Sequence, residues 1–173
     1  MIGQFDLCLN APERWSSDEA YQALSTLSFH DWAEALRGRF EFNADAALPK
    51  GEGPLGLLCE AMRYAVMGGG KRVRALVVYG AGALTAAPAK ALDEAALAVD
   101  YVHAYPLVHD DLPCMDNATL RRGKPTAPVR FGVADAMLAG GRLQPAAFER
   151  PLSPGLPAAQ IHLLPLPLAR TNH

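Results

Sequence analysis

Hydrophobic positions recur at intervals of three and four through the middle of this chain, the spacing of one face of an α-helix. Between residues 29 and 48, Phe29, Trp32, Ala33, Leu36, Phe40 and Ala47 keep mostly to that rhythm and predict an amphipathic helix packed through its aromatic side. Pro49 to Pro54, with Gly51 and Gly53 between, breaks the pattern. Pro54 suits the first position of a second helix, which continues through Leu57, Leu58, Met62 and Ala65 until Gly68, Gly69 and Gly70 stop it. Lys71 to Leu84 is rich in Ala, Leu and Val and predicts a largely buried third helix, with Gly80 and Gly82 each weakening it by up to about 1 kcal/mol.

The strongest helical pattern runs from Ala89 to Asp111. Leu92, Ala95, Ala96, Val99, Val102 and Leu107 give it one core face, and Asp93 and Glu94 favour its positive N-terminal end. Pro106 interrupts that pattern, costs on the order of 3 kcal/mol inside a helix and predicts a kink. A further helical pattern, Val133 to Phe148, is broken by Gly140, Gly141 and Pro145. Residues 1–28 read as a poorly ordered leader, residues 29–150 as one helical domain, and residues 151–173, with five prolines among Leu and Ala, as an extended or disordered tail. The fold class is all-α.

Composition narrows the function. At 173 residues and 50% hydrophobic, the chain can bury one sizeable core. A net charge of −2 carries no global nucleic-acid footprint. Cys8, Cys59 and Cys114 lack metal-ligand spacing and fit a reduced, cytoplasmic setting. The first residues lack a basic start followed by a long apolar run, and no window approaches the length of a membrane span.

Candidate chemistry concentrates between His103 and Lys124. Asp110, Asp111 and Asp116 are followed closely by Arg121, Arg122 and Lys124. Clustered carboxylates beside an apolar helix suggest a hard cation such as Mg²⁺, and the cations that follow suggest that the metal's partner is an anion. A magnesium diphosphate satisfies both halves. On a helix, His103 and Asp110 lie seven residues apart, about 20° and roughly 10 Å from each other, on one face. Asp116 falls about 120° away, so Pro113 must turn the chain to bring it back. Upstream, Gly68 to Gly70 and the following helix start could present N–H groups to a phosphate, with Lys71 and Arg74 as counter-charges. Each feature also has a plainer reading: a solvated turn for the acids, a polar helix entrance for the cations, a core histidine for His103 and a core tyrosine for Tyr105. The acids would repel a nucleic-acid backbone.

Two motifs in order carry a resemblance. The stretch HAYPLVHDDLPCMD followed by LRRGKPT, and GGGKRVR upstream of it, resemble the trans-type polyprenyl diphosphate synthases, most of all the bacterial farnesyl type, over roughly residues 55–148. The resemblance implies part of an isoprenoid-synthase helical bundle and a Mg²⁺-dependent condensation of isopentenyl diphosphate with an allylic diphosphate, dimethylallyl or geranyl. It implies that Asp110 and Asp116 hold Mg²⁺, with Asp111 as an outer ligand and Arg121 on the allylic diphosphate. Lys71, Arg74, His103 and Arg122 would hold isopentenyl diphosphate, Tyr105 would limit product length, and a homodimer is the usual assembly. The departures are further acids missing at Asn117, Ala118 and Thr119, AGGRLQ where the family commonly has AGDALQ, and no second aspartate-rich motif. These lead us to expect an N-terminal portion of such an enzyme, impaired in catalysis. The alternative is a non-catalytic helical module that pairs with a full-length synthase.

Overall fold

A computed structural model describes residues 27–85 and 87–152. Helix α1 (Phe29–Ala47) starts at Ser28, whose Oγ accepts from the Asp31 N–H at 3.3 Å and donates to the Asp31 carboxylate at 2.7 Å. A 3₁₀ turn (Gly53–Leu55) leads into α2 (Gly56–Met67), then α3 (Val73–Thr85) and α4 (Ala89–Asp110). After α4 come two two-residue strands, β1 (Leu120–Arg121) and β2 (Lys124–Pro125), paired antiparallel with Leu120 opposite Pro125. The short α5 (Ala127–Phe131), α6 (Val133–Glu149) and a final 3₁₀ turn (Arg150–Leu152) complete the described chain. The all-α expectation holds, with this small hairpin added.

Helix α4 is the axis. It packs most extensively on α6, next on α3, and also meets α1 and α2. The shared core takes Leu36, Phe40 and Ala44 from α1, Met62 and Val66 from α2, Tyr79 from α3, Leu97 and Tyr101 from α4, and Leu143 from α6. Each large apolar side chain so buried contributes about 1.5–3 kcal/mol. Charged side chains sit inside as well, Arg39 the deepest of those described. Arg39, 0% exposed, donates from Nε and Nη2 to Asp93 at 2.6 and 2.7 Å, and the Tyr79 hydroxyl donates to the same carboxylate at 2.8 Å. Asp93 therefore ties three helices together, a larger role than the favourable N-terminal charge its position suggested.

Several expectations need correction. Helix α3 is not largely buried: Ala75, Tyr79 and Gly82 face the core, while Val73, Val77 and Leu84 are 57%, 64% and 89% exposed. Apolar composition hid that one side of this helix is exposed. In α4 the buried set includes Leu92, Ala96, Leu97, Tyr101, Ala104 and Val108, whereas Ala95, Val99 and Leu107 are half-buried, because neighbours on several sides leave no single core face. Gly82 is a fitting residue rather than a weakness, since a methyl group there would overlap the side chain of Leu92. Neither Pro106 nor Pro145 ends its helix, and Gly140 and Gly141 do not break α6. Packing of Ala139, Gly140, Leu143, Ala146 and Ala147 holds α6 together, and the exposed Pro145 frees a carbonyl at the equally exposed Gly141. The leader and tail lie outside the described residues, apart from Leu27, Ser28 and the closing turn that contains the buried Pro151.

Candidate active site

Helix α2 ends at Met67, and Gly68 to Arg72 carries the chain across to α3. Gly70 has φ +133°, and a Cβ there would lie 2.5 Å from Arg122 Nη1, so both conformation and space call for glycine. The hairpin is latched to this turn. Arg122 donates to the Gly69 carbonyl, Lys124 Nζ lies 3.4 Å from the Gly68 carbonyl, and the Tyr64 hydroxyl donates to the Pro125 carbonyl at 2.6 Å. Thr126 closes the hairpin base, donating from N to Thr119 O at 3.0 Å and from Oγ1 to Ala118 O at 2.7 Å.

The latch borders an open pocket of about 430 Å³ between α2, the glycine turn, α3, α4 and the hairpin. Lys71, Arg74, His103 and Arg122 all line it, together with the apolar Ala65, Ala104 and Leu107. The four residues expected to hold one diphosphate are thus brought together. Burial holds the His103 imidazole below the usual histidine range, and the nearby charges of Arg74, Arg122 and Arg121 depress it further. At neutral pH His103 is therefore a neutral ring that can donate one N–H.

The acids lie on the adjacent side. Pro113 lies in a turn in which Leu112 N bonds His109 O at 3.1 Å and Met115 N bonds Leu112 O at 2.9 Å. That turn returns the chain so that Asp116 N donates to Asp110 O at 2.8 Å, the reversal the spacing demanded. The three side chains do not converge, however. Asp111 is buried and held by Arg121, whose Nη2 lies 2.8 Å from Oδ1 and whose Nε lies 3.1 Å from Oδ2, while Asp116 is exposed. Among the described residues, no group of three or more His, Cys, Asp or Glu side chains is arranged to hold a metal ion. Arg121 thus grips a carboxylate of its own chain.

Two residues near the acids gain definite surroundings. The rings of Tyr105 and His109 meet edge to face, with centroids 4.7 Å apart. His109 Nε2 lies 3.1 Å from the Met137 carbonyl, and a Cβ at Gly140 would lie 2.6 Å from His109 Cδ2. Gly140, which directly precedes the departure at Gly141 and Arg142, is therefore what lets α6 lie against the end of α4. Sequence reasoning gave His109 no role, and it missed Arg72. That residue is 8% exposed with φ +49°, and the only hint was its place in a run of cations.

The helical frame that carries these acids and the cationic pocket beside them is shared by solved structures. The Legionella pneumophila geranyltransferase structure superposes with a TM-score of 0.71 and 38% identity over 82% of this chain and 49% of that one. A Zymomonas mobilis FPP/GFPP synthase gives 0.69 and 38% identity over 87% and 50%. The polyprenyl synthetase family pattern matches residues 56–156. The chain belongs to the polyprenyl synthetase family. Among curated relatives, the farnesyl diphosphate synthase of Haemophilus influenzae is 53% identical over 92 residues, covering 53% of this chain and 31% of that protein. The Escherichia coli enzyme is 50% identical over 90 residues, covering 52% and 30%. The chain thus matches about a third of the length of these relatives and half of the solved structures. No described helix is long and apolar enough to cross a membrane.

Proposed function

We propose that this chain carries the isopentenyl diphosphate site, and one wall of the allylic diphosphate site, of a prenyltransferase of the farnesyl diphosphate synthase type. The observation that carries the reading is the convergence of Lys71, Arg74, His103 and Arg122 on one pocket next to the acids of α4. Three cations and a neutral N–H donor suit a diphosphate, and guanidinium groups can grip its oxygens in pairs. Ala65, Ala104 and Leu107 supply the apolar wall that accommodates the isopentenyl chain and keeps water away.

The donor set on the acid side fits Mg²⁺ in the manner usual for that ion, which takes one or two carboxylates and completes its shell with phosphate oxygens and water. Asp110 and Asp116 would hold it, and Asp111 would orient Arg121 toward the same diphosphate. When bound, Mg²⁺ supplies charge stabilisation for the departing diphosphate of a dimethylallyl or geranyl substrate. The chain's own contribution is electrostatic and steric. Arg121 meets the charge that grows on the leaving oxygens, the pocket cations align the isopentenyl double bond, and apolar walls protect the cationic carbon from water.

Calorimetric titration tests this. Isopentenyl diphosphate is expected to bind with or without Mg²⁺, and a non-hydrolysable allylic diphosphate only with it. Allylic binding that ignores the metal would remove the role given to Asp110 and Asp116. A second reading has its own support in the exposed Val73, Val77 and Leu84 stripe on α3, an apolar face a partner could cover. On that reading the chain pairs with a full-length synthase without catalysing, and co-purification of the two is the expected result.

A further inference from the structure

The pocket has four cations on its lining, but one of them is unavailable to any ligand. Arg72 Nη1 donates to Asp100 at 2.8 Å, Nε to Glu41 at 2.6 Å and Nη2 to the Val66 carbonyl at 2.7 Å, and its guanidinium carbon lies 4.9 Å from the Phe40 ring centre. These partners sit on α1, near the end of α2 and on α4, so a single side chain fastens three helices to the turn that precedes α3. Its backbone is in the left-handed region at φ +49°, one of the less accessible conformations for a residue with a Cβ. The residues on either side are Lys71 and Val73, with Arg74 one further on. Both Lys71 and Arg74 are exposed, line the pocket and form no ion pair among the described residues.

We infer that Arg72 is a positioning residue for the diphosphate pocket: by anchoring the turn from inside, it sets where Lys71 and Arg74 stand, without touching the ligand. The three anchors are matched to guanidinium chemistry. They need donors fixed in one plane and pointing three ways, which a lysine ammonium on a flexible stem does not provide. Asp100 and Glu41 also offset the charge of Arg72, so Arg72 itself adds no net positive charge to the pocket. The inference deepens the reading of the pocket as an isopentenyl diphosphate site and rests on it.

The test is titration of isopentenyl diphosphate into the full chain and its Arg72→Gln, Arg72→Lys, Glu41→Gln and Arg74→Gln variants, with helicity and thermal midpoint measured for each. We expect Arg72→Gln to keep its helicity and weaken binding by about tenfold or more, as small misplacements of binding groups commonly do. Arg72→Lys should recover only part of the loss. A folded Arg72→Gln protein that binds within about twofold of the parent, merely melting earlier, overturns the inference, since a purely structural pillar would behave that way. Should Arg72→Gln fail to fold, Glu41→Gln decides. That change removes one anchor on the half-exposed side, and about threefold weaker binding supports the assignment while unchanged binding overturns it. If the parent chain does not bind isopentenyl diphosphate, the reading of the pocket itself falls and the inference with it. Binding by the parent that Arg74→Gln weakens by about tenfold or more shows that the pocket reading stands and that the Arg72 variants report on Arg72.

Discussion

The two halves of the site are built to different degrees. On the cationic side, the glycine turn, the start of α3, the middle of α4 and the hairpin close around one pocket, and a buried arginine with three partners fixes the turn. On the acidic side, the backbone brings Asp116 back to Asp110, yet Asp111 is occupied by Arg121 and the carboxylates do not gather. The difference follows from electrostatics. Cations spaced along a loop can be separated by a neutralised arginine and an apolar wall, and so can be held ready without a ligand. Carboxylates brought close together repel one another, and here they stand apart, with Arg121 as an internal counter-ion for Asp111. The matched relatives are also two to three times longer than the segment they share with this chain.

The largest effects should expose that asymmetry in stability. Asp100→Ala leaves Arg72 buried with one carboxylate fewer, and we expect a loss of about 3–5 kcal/mol in urea unfolding. Asp116→Ala, at an exposed turn, should stay within about 0.5 kcal/mol of the parent. Equal losses would mean that the two sides are equally preformed. Next in size is ligand binding. Arg74→Gln should weaken isopentenyl diphosphate by about 10–100-fold in calorimetry, the worth of one charge-assisted hydrogen bond, and the loss should be the same with and without Mg²⁺. A loss that appears only with Mg²⁺ would merge the two halves into one site.

Part of the cationic side could be read from residues alone, because a glycine triplet followed by a lysine and an arginine marks a turn that opens a helix, whereas joining His103 and Arg122 to them rested on the resemblance. His103 could be placed with respect to Asp110 by helical geometry, and Pro113 pointed to the reversal that returns Asp116. The buried pairs were not legible. Nothing in KRVR says that the second cation turns inward, since Asp100 and Glu41 are remote in sequence and meet it only through the crossing of α1 and α4. Asp93 gave the same difficulty: its partners Arg39 and Tyr79 come from two other helices. Gly82 and Gly140 read as helix weakeners, because propensity scores a residue by its neighbours in sequence, whereas Leu92 and His109 are neighbours only in space. The exposed stripe of α3 was lost for a related reason, as composition cannot tell a buried helix from one with an exposed side.

A smaller effect is expected where the acidic side borrows its counter-ion. Arg121→Gln releases Asp111 from its paired contacts and adds a carboxylate to Asp110 and Asp116. We expect tighter Mg²⁺ binding without diphosphate, by roughly fivefold or about 1 kcal/mol, measured by calorimetry or by competition with Mn²⁺. Unchanged affinity would show that the Arg121 contact does not keep Asp111 from the metal.

The finest test concerns one proton. His103 titrates below its ordinary 6.5, first because burial disfavours the charged ring and then because Arg74, Arg122 and Arg121 repel it. A base that is harder to protonate when folded binds fewer protons than the unfolded chain in that range, so stability falls as pH drops below 6.5 towards the folded value and then levels. Nuclear magnetic resonance of the ring should show the lowered midpoint directly. Arg74→Gln should move it upward, though only in part, because burial is the larger cause. Isopentenyl diphosphate should move it upward as well, since the anion offsets the same guanidinium charges. If the ligand leaves the midpoint where it was, the diphosphate does not lie among these cations, and the preformed half of the site serves something else.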